Sequence, residues 1–341
     1  MFYRSRAPLR IGLAGGGTDV SPYADLYGGA ILNATVSMFA QASIEPLDHP
    51  EIILEAVDLK VKERYPLSDE LPVDGPLALL KGVYNRVVKE TGGRPLPLHL
   101  TTWADAPKGS GMGTSSTLTV AILGAFAEWL KIPLGEYDMA HLAYEIERID
   151  LGMAGGRQDQ YAATFGGFNF MEFFADDKVI VNPLRIRPEY LRELEFNILL
   201  YYTGTSRLSA DIIEKQSSNF TAGTAKPIDA AHKLKEQALM MKQALFKGDL
   251  RSIGEILDFG WTYKKQTAAG VTNPLIDEIY TAARQAGATG GKISGAGGGG
   301  FMMFYVPGNQ RYAVAERLLQ FGGELRRFQF TNEGVVTWSG R

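Results

Sequence analysis

Apolar and polar positions along the 341-residue chain alternate on two periods, so strand and helix segments can be separated before any chemistry is considered. The run Leu9 to Ala14 predicts a strand that stops at Gly15-Gly16-Gly17. Further strands are predicted over residues 30–36, 39–45, 51–57 and 97–103, rich in Ile, Val and Thr. Between the last two, PLALLKGVYNRVVKETGG carries apolar residues at helical spacing and a Gly-Gly stop. A long helix is predicted from Ser115, with Ser and Thr side chains as its N-terminal cap, and a second over residues 137–152. After a charged, proline-containing stretch, FNILLYYT reads as a strand opening a second half near residue 190. That half is predicted to hold amphipathic helices over 228–249 and 249–266 and a helix capped by Asn273. A strand, glycine loop and strand over 290–306, a helix over 309–321, and the strands FQF and VVTW complete an α+β unit.

Composition narrows the function. A net charge of −3 from 35 basic and 38 acidic residues argues against nucleic acid or an anionic membrane as the main partner. With no cysteine, thiol catalysis, disulfides, Cys-ligated zinc and iron–sulfur clusters are excluded. No uncharged apolar run approaches the roughly 18 residues of a membrane helix, and the start has no leader-like core, so a soluble, cytoplasmic protein is expected. Glycine is the outlier: 39 of 341 residues, against roughly 7% in ordinary proteins, and more than half fall within residues 12–29, 109–113, 152–167 and 287–300. Glycines grouped in this way mark sharp turns or close approach to a ligand.

Pro107-Lys108-Gly109-Ser110-Gly111-Met112-Gly113-Thr114-Ser115-Ser116 places alternate glycines before a long helix, whose amides and dipole, about half a positive charge, suit a phosphate. No Gly-Lys-Ser/Thr follows, so this is not a Walker loop. Gly295-Ala296-Gly297-Gly298-Gly299-Gly300 satisfies GxGxxG literally, but a strand follows where a dinucleotide turn needs a helix. Glu147 and Asp159 flank the loop LGMAGGRQ, which can bring a metal-binding carboxylate from a helix end and a second carboxylate from a loop to one site. The histidines at 49, 99, 141 and 232 have no metal-binding spacing.

APLRIGLAGGGTD, PKGSGMGTSS and KISGAGGGGF, in this order over nearly the whole length, resemble the three motifs of the GHMP-superfamily small-molecule kinases. The resemblance implies a two-domain α+β fold: an N-terminal ATP-binding domain over residues 1–190 with a left-handed βαβ unit in a mixed sheet, and a ferredoxin-like domain over 191–341. It also implies ATP and Mg²⁺. By position, Lys108, Gly109, Ser110, Gly111, Met112, Gly113, Thr114 and Ser115 would wrap the triphosphate, with Gly295, Ala296, Gly297 and Gly298 completing the nucleotide site. Ser115 and Glu147 would hold Mg²⁺, Asp159 would sit beside the acceptor hydroxyl, and Arg10 would help polarise it.

Galactokinase-like members carry Glu-His before the Thr-Asp of the first motif, whereas this chain has Gly16-Gly17-Thr18-Asp19, which would contact the substrate. LRIGLAGGGTDVSPY, GGRQDQYAATFGGFN and TGTSR resemble the D-glycero-D-manno-heptose 7-phosphate kinase branch, which phosphorylates the anomeric oxygen; fucokinase-like enzymes are the rival reading, and a silent sugar-phosphate or ATP sensor a further one. A sugar that already bears a phosphate needs a cationic contact, for which Arg157 and Arg207 are the candidates. The sequence leaves the oligomeric state open.

Overall fold

The computed structural model describes residues 1–205 and 209–341. The strands of the first half are β1 (Phe2–Ala14), β2 (Gly29–Pro46), β3 (Glu51–Ala56), β4 (Val61–Pro66), β5 (Leu98–Ala104), β6 (Phe168–Phe173) and β7 (Val179–Pro183). The second half adds β8 (Ile198–Tyr202), β9 (Gly290–Ile293), β10 (Phe301–Tyr305), β11 (Glu324–Arg326) and β12 (Val336–Gly340). Helices α1 (Tyr23–Tyr27), α2 (Ala78–Glu90), α3 (Thr114–Leu130), α4 (Glu136–Glu145), α5 (Gln158–Phe165) and α6 (Pro188–Asn197) precede β8. Helices α7 (Ser209–Thr221), α8 (Ala225–Lys247), α9 (Ile253–Lys264) and α10 (Pro274–Gln285) lie between β8 and β9, and α11 (Arg311–Leu319) follows β10.

Two sheets result. The larger runs β12-β1-β2-β5-β3-β4, with β6 on β2 and β7 on β6; β3 and β5 pair in parallel across α2, and its other pairs are antiparallel. The smaller runs β11-β8-β10-β9, the strand order of a ferredoxin-like βαββαβ unit. Where the pattern predicts separate strands over 30–36 and 39–45, one strand of 18 residues runs through. Its register shifts against β1 between Pro8 and Arg10, so the polar break at Ser37 is absorbed as a bulge rather than a turn. Residues 29–34 of β2 then pair with β6, and residues 40–46 with β5.

Leu9, Ile11 and Leu13 of β1 pack in one core with Leu200, Met241, Leu257 and Met303, so the two halves share buried surface. Ala40, Ile44, Leu54 and Leu100 meet α2 and α3 on the opposite side. One predicted element belongs elsewhere. Residues 336–340 do not complete the C-terminal unit; they form β12, antiparallel to β1, with Phe2 opposite Gly340. Half-exposed edge strands carry little apolar patterning, so only the long-range pairing decides their sheet. Phe330 likewise bridges Val36 and packs on Phe168 with ring centroids 4.6 Å apart. Among the described residues no helix is long and apolar enough to cross a membrane.

Candidate active site

The glycine turns after β1, before α3 and after β9 meet the loop preceding α5 around a cleft of about 690 Å³. Gly113, in the left-handed region at φ 76°, turns the chain into α3 without a side-chain cap, where the sequence predicts Ser or Thr in that role. The reason lies in the first turn itself. The first intrahelical bond runs from Thr117 N–H to the Gly113 carbonyl, 2.9 Å, so the amides of Thr114, Ser115 and Ser116 have no helical acceptor and are left for a ligand at the cleft. Gly111 (φ 80°) and Gly295 (φ 80°) lock two of the turns together: a Cβ on Gly111 would lie 2.1 Å from the Ser294 carbonyl oxygen. Ser294 Oγ donates to the Gly111 carbonyl at 2.8 Å.

Asp159 stands in the first turn of α5, not on a loop. The sequence hides this short helix because no side chain of its own caps it; Asp19 does so from the first motif, its Oδ2 accepting from the amides of Arg157 (2.9 Å) and Gln158 (3.1 Å). Asp19 Oδ1 accepts from Gly17 N–H at 3.3 Å. Facing the cleft, Asp159 is gripped through one oxygen: Arg10 Nε and Nη2 both reach Oδ1, at 2.7 and 2.6 Å. Its Oδ2 has no protein partner among the described residues, and the side chain is 22% exposed against 4% for Arg10. Arg10 alternates with the core residues Leu9 and Ile11 on β1, and its Nη1 donates to the Gly111 carbonyl, so one side chain ties the glycine loop before α3 to Asp159.

Glu147 follows α4 in a π-helical turn, Ile146–Asp150, an irregularity that recurs at functional sites. It is fully buried: Oε2 accepts from Ser116 Oγ at 2.7 Å and from Gln160 Nε2, and Oε1 from Thr119 Oγ1 at 3.0 Å. Among the described residues no cluster of three acidic or histidine side chains could cage a metal. One carboxylate and the hydroxyls of Ser115 and Ser116, all lining the cleft, form an oxygen-only donor set. That set fits a magnesium ion that takes its remaining ligands from phosphates and water.

The GHMP kinases N terminal domain profile matches residues 78–167, and the GHMP kinases C terminal profile residues 241–324. The chain is 46% identical over 335 residues to a D-glycero-alpha-D-manno-heptose 7-phosphate kinase of Campylobacter jejuni, covering 98% of each. This chain belongs to the GHMP kinase family. A crystal structure of a D-glycero-D-manno-heptose 1-phosphate kinase from Bacteroides thetaiotaomicron superposes with a TM-score of 0.84 at 44% identity over 99% of both chains. An L-fucokinase/L-fucose-1-P guanylyltransferase of Bacteroides fragilis is 26% identical over 92% of this chain but 35% of its own length. As a GHMP kinase the protein is a phosphotransferase acting on a small molecule with ATP as donor.

In this GHMP kinase not every motif residue faces the cleft. Arg10, Gly17, Asp19, Lys108, Gly109, Gly111, Gly113, Thr114, Ser115, Glu147, Asp159, Gly295 and Ala296 line it. Ser110 and Met112 point inward, Met112 into the shared core. Thr18 bonds the carbonyls of Gly15 and Ala30, Gly16 presents its carbonyl to Lys264, and Gly297 and Gly298 pack on Val271. Arg157 does not reach the cleft. Its guanidinium holds Asp25 (2.6 Å), Asp177 (3.2 Å), Ser21 Oγ (2.9 Å) and the Phe174 carbonyl (2.7 Å), bracing the α5 loop against β6. Arg207 lies outside the described residues.

Sequence reasoning misses Lys264, Lys292, Ser116, Gln160 and Gln216. Lys264 had a signal: it continues the buried stripe Ile253, Ile256, Leu257, Gly260, Trp261 of α9, where a charge is out of place. Burial pushes its amine down to about 8, although Asp19 acts the other way. Lys292 opens the third glycine motif, and burial, with Lys264 and Arg10 near it, pushes it down to about 7.

Proposed function

We propose that this kinase transfers the γ-phosphoryl group of ATP to the anomeric hydroxyl of a sugar phosphate, D-glycero-D-manno-heptose 7-phosphate, giving the 1,7-bisphosphate. The observation that carries the reading is the Asp159–Arg10 pair beside the α3 N-terminus, which sets an acceptor oxygen against a phosphate cradle. The name of the 46% identical relative supplies the sugar.

In-line phosphoryl transfer asks mainly for positioning and charge neutralisation. The amides of Thr114, Ser115 and Ser116 and the α3 dipole face the triphosphate. Glu147, with the hydroxyls of Ser115 and Ser116, would hold Mg²⁺, which neutralises phosphate charge when bound. Asp159 Oδ2 accepts the hydrogen bond of the acceptor hydroxyl and orients it, while Arg10 fixes Oδ1. An anomeric hydroxyl is more acidic than an ordinary alcohol, so an acceptor already pinned by a guanidinium is base enough. Asp19 acts one step removed, by capping the helix that carries Asp159. Residues 1–190 would form the nucleotide-binding unit and 191–341 the unit that closes the cleft, apart from the segment that returns to β1.

A coupled ATPase screen over sugar phosphates and free sugars tests the reading, with phosphorus NMR of the product. Turnover of heptose 7-phosphate with a new anomeric phosphate is expected. Equal or better turnover of free fucose would replace it with a fucokinase-like activity, and no turnover of any sugar with tight ATP binding would leave a sensor.

A further inference from the structure

The cations around the cleft are not equivalent. Arg10 is paired with Asp159, and Arg148 donates to the carbonyls of Met153 and Gly156 at 3.4 and 3.2 Å. Lys108 is exposed at the mouth of the nucleotide loop. Lys264 differs. It reaches the cleft wall from the last turn of α9, is 5% exposed, and its Nζ donates only to the Gly16 carbonyl at 3.0 Å, with no carboxylate within 4 Å among the described residues.

The chain makes room for this ammonium. A Cβ on Gly17 (φ 99°) would lie 2.6 Å from Lys264 Nζ and 2.5 Å from Gln216 Nε2, so the glycine lets two donors approach one point on the cleft surface. Gln216, from α7, also lines the cleft and touches its Gly17 partner only at 3.4 Å. Behind them, Lys292 Nζ would stand 3.8 Å from a Cβ on either Gly12 or Gly16 and adds a second buried amine, one that an entering anion would help to keep protonated. Asp19, a carboxylate whose charge Lys264 feels, turns its oxygens to the amides of Gly17, Arg157 and Gln158. Buried ammonium groups without a counter-ion are costly, and the cost is relieved when an anion enters beside them.

We propose that Lys264, with Gln216 beside it and Lys292 behind it, is the subsite that receives the phosphate already carried by the acceptor sugar. This rests on the sugar-phosphate reading above and assigns to Lys264 the contact that the sequence gives to Arg157 or Arg207. The anomeric end then lies at Asp159 and the phosphate at the α9 wall, so the same cleft selects for a sugar with an anion at its far end. Free sugars bind with the subsite empty.

The test compares wild type, Lys264→Met and Lys264→Arg on heptose 7-phosphate and on the same heptose without phosphate, each with ATP titrated separately. Lys264→Met should lower the preference for the phosphorylated over the free sugar by about 10- to 100-fold, the range of a hydrogen bond to a charged group, almost wholly through KM. KM for ATP should be unchanged, and Lys264→Arg should restore part of the preference. An equal loss on both sugars would overturn the proposal, because it would mean that Lys264 supports the ring site or the fold. Should the methionine variant fail to fold, labelling of wild-type Lys264 by an amine-reactive reagent, read by peptide mass spectrometry, decides. Heptose 7-phosphate should slow it and free heptose should not; equal slowing by both overturns the assignment. If wild type itself shows no preference for the phosphorylated sugar, the functional reading fails first, independently of Lys264.

Discussion

Glu147 and Asp159 are carboxylates on opposite sides of one loop, yet their surroundings are opposites. Glu147 is fully buried and held by neutral donors, the hydroxyls of Ser116 and Thr119 and the amide of Gln160; its nearest cation, Arg148, stands 3.5 Å away with its N–H groups on backbone carbonyls. Asp159 lines the cleft, partly exposed, and a guanidinium holds one oxygen while the other has no protein partner among the described residues. Neutral donors at hydrogen-bond distance, with the one guanidinium further out and turned to backbone carbonyls, leave more of a carboxylate's charge for a hard cation. A guanidinium cancels the charge and leaves an oriented acceptor, which suits it to a hydroxyl. Partner chemistry, not residue type, separates the two roles.

The comparison breaks most readily at Asp159. Asp159→Asn should lower kcat by about 10²- to 10⁴-fold with little change in KM for ATP, the usual size of a lost proton-accepting group. Steady-state rates within fivefold of wild type would remove it from the mechanism. Removing the clamp should cost less. Arg10→Met loses one charged contact to Asp159, so kcat should fall about 10- to 100-fold while the Asp159 side chain remains; kinetics of this variant that match wild type would show that the oxygen needs no anchor. Glu147→Gln keeps the hydrogen-bonding shape but removes the charge, and should raise the Mg²⁺ concentration at half-maximal activity about tenfold, with rescue by excess metal. An unmoved Mg²⁺ titration would dissolve the contrast between the two carboxylates.

The smallest effect sharpens the comparison with a buried group that has no compensating partner among the described residues. Lys292 is pushed down to about 7, whereas an unfolded lysine titrates near 10.5. Between these values the unfolded chain binds more protons, so stability rises with pH across that window. The cost of the buried charge is fully present below about pH 7. Lys292→Met should therefore raise the calorimetric midpoint by a few degrees at pH 6, with a smaller gain at pH 9. An equal gain at both would mean that packing, not charge, is responsible.

Much of this was legible in the residues. The glycine-rich loop, the long helix behind it, the hairpin around the third motif and the Asn273 cap, whose Oδ1 accepts from Ile276 N–H at 3.0 Å, all follow from local rules. What local rules miss are partners distant in sequence. Helix α5 is invisible because its cap is Asp19, and β12, read as a strand, is assigned to the wrong sheet because its neighbour is β1. Gly111 shows how one motif residue can serve two ends. The sequence argument leaves its Cβ out to admit phosphate, whereas the structure leaves it out to admit the Ser294 carbonyl, so Gly111→Val would disturb loop packing as well as nucleotide binding. Arg157 has the right charge two positions from Asp159, but Asp25 and Asp177, supplied by other elements, hold it away from the cleft.

The return of β12 to β1 also shapes how the polypeptide reaches this structure. Phe2 to Arg6 find their outer neighbours only in Val336 to Gly340, and Leu9 and Ile11 find core partners in Met241 and Met303. On the ribosome the first strand therefore emerges hundreds of residues before the segments that cover it. Non-local closure of this kind slows folding and leaves the backbone edge of Phe2–Arg6 unpaired and open to other chains in the interval. A chain interrupted just before Val336 would keep both glycine loops, both carboxylates and Arg10, yet leave that edge uncovered, and its failure would be one of aggregation during synthesis rather than of chemistry.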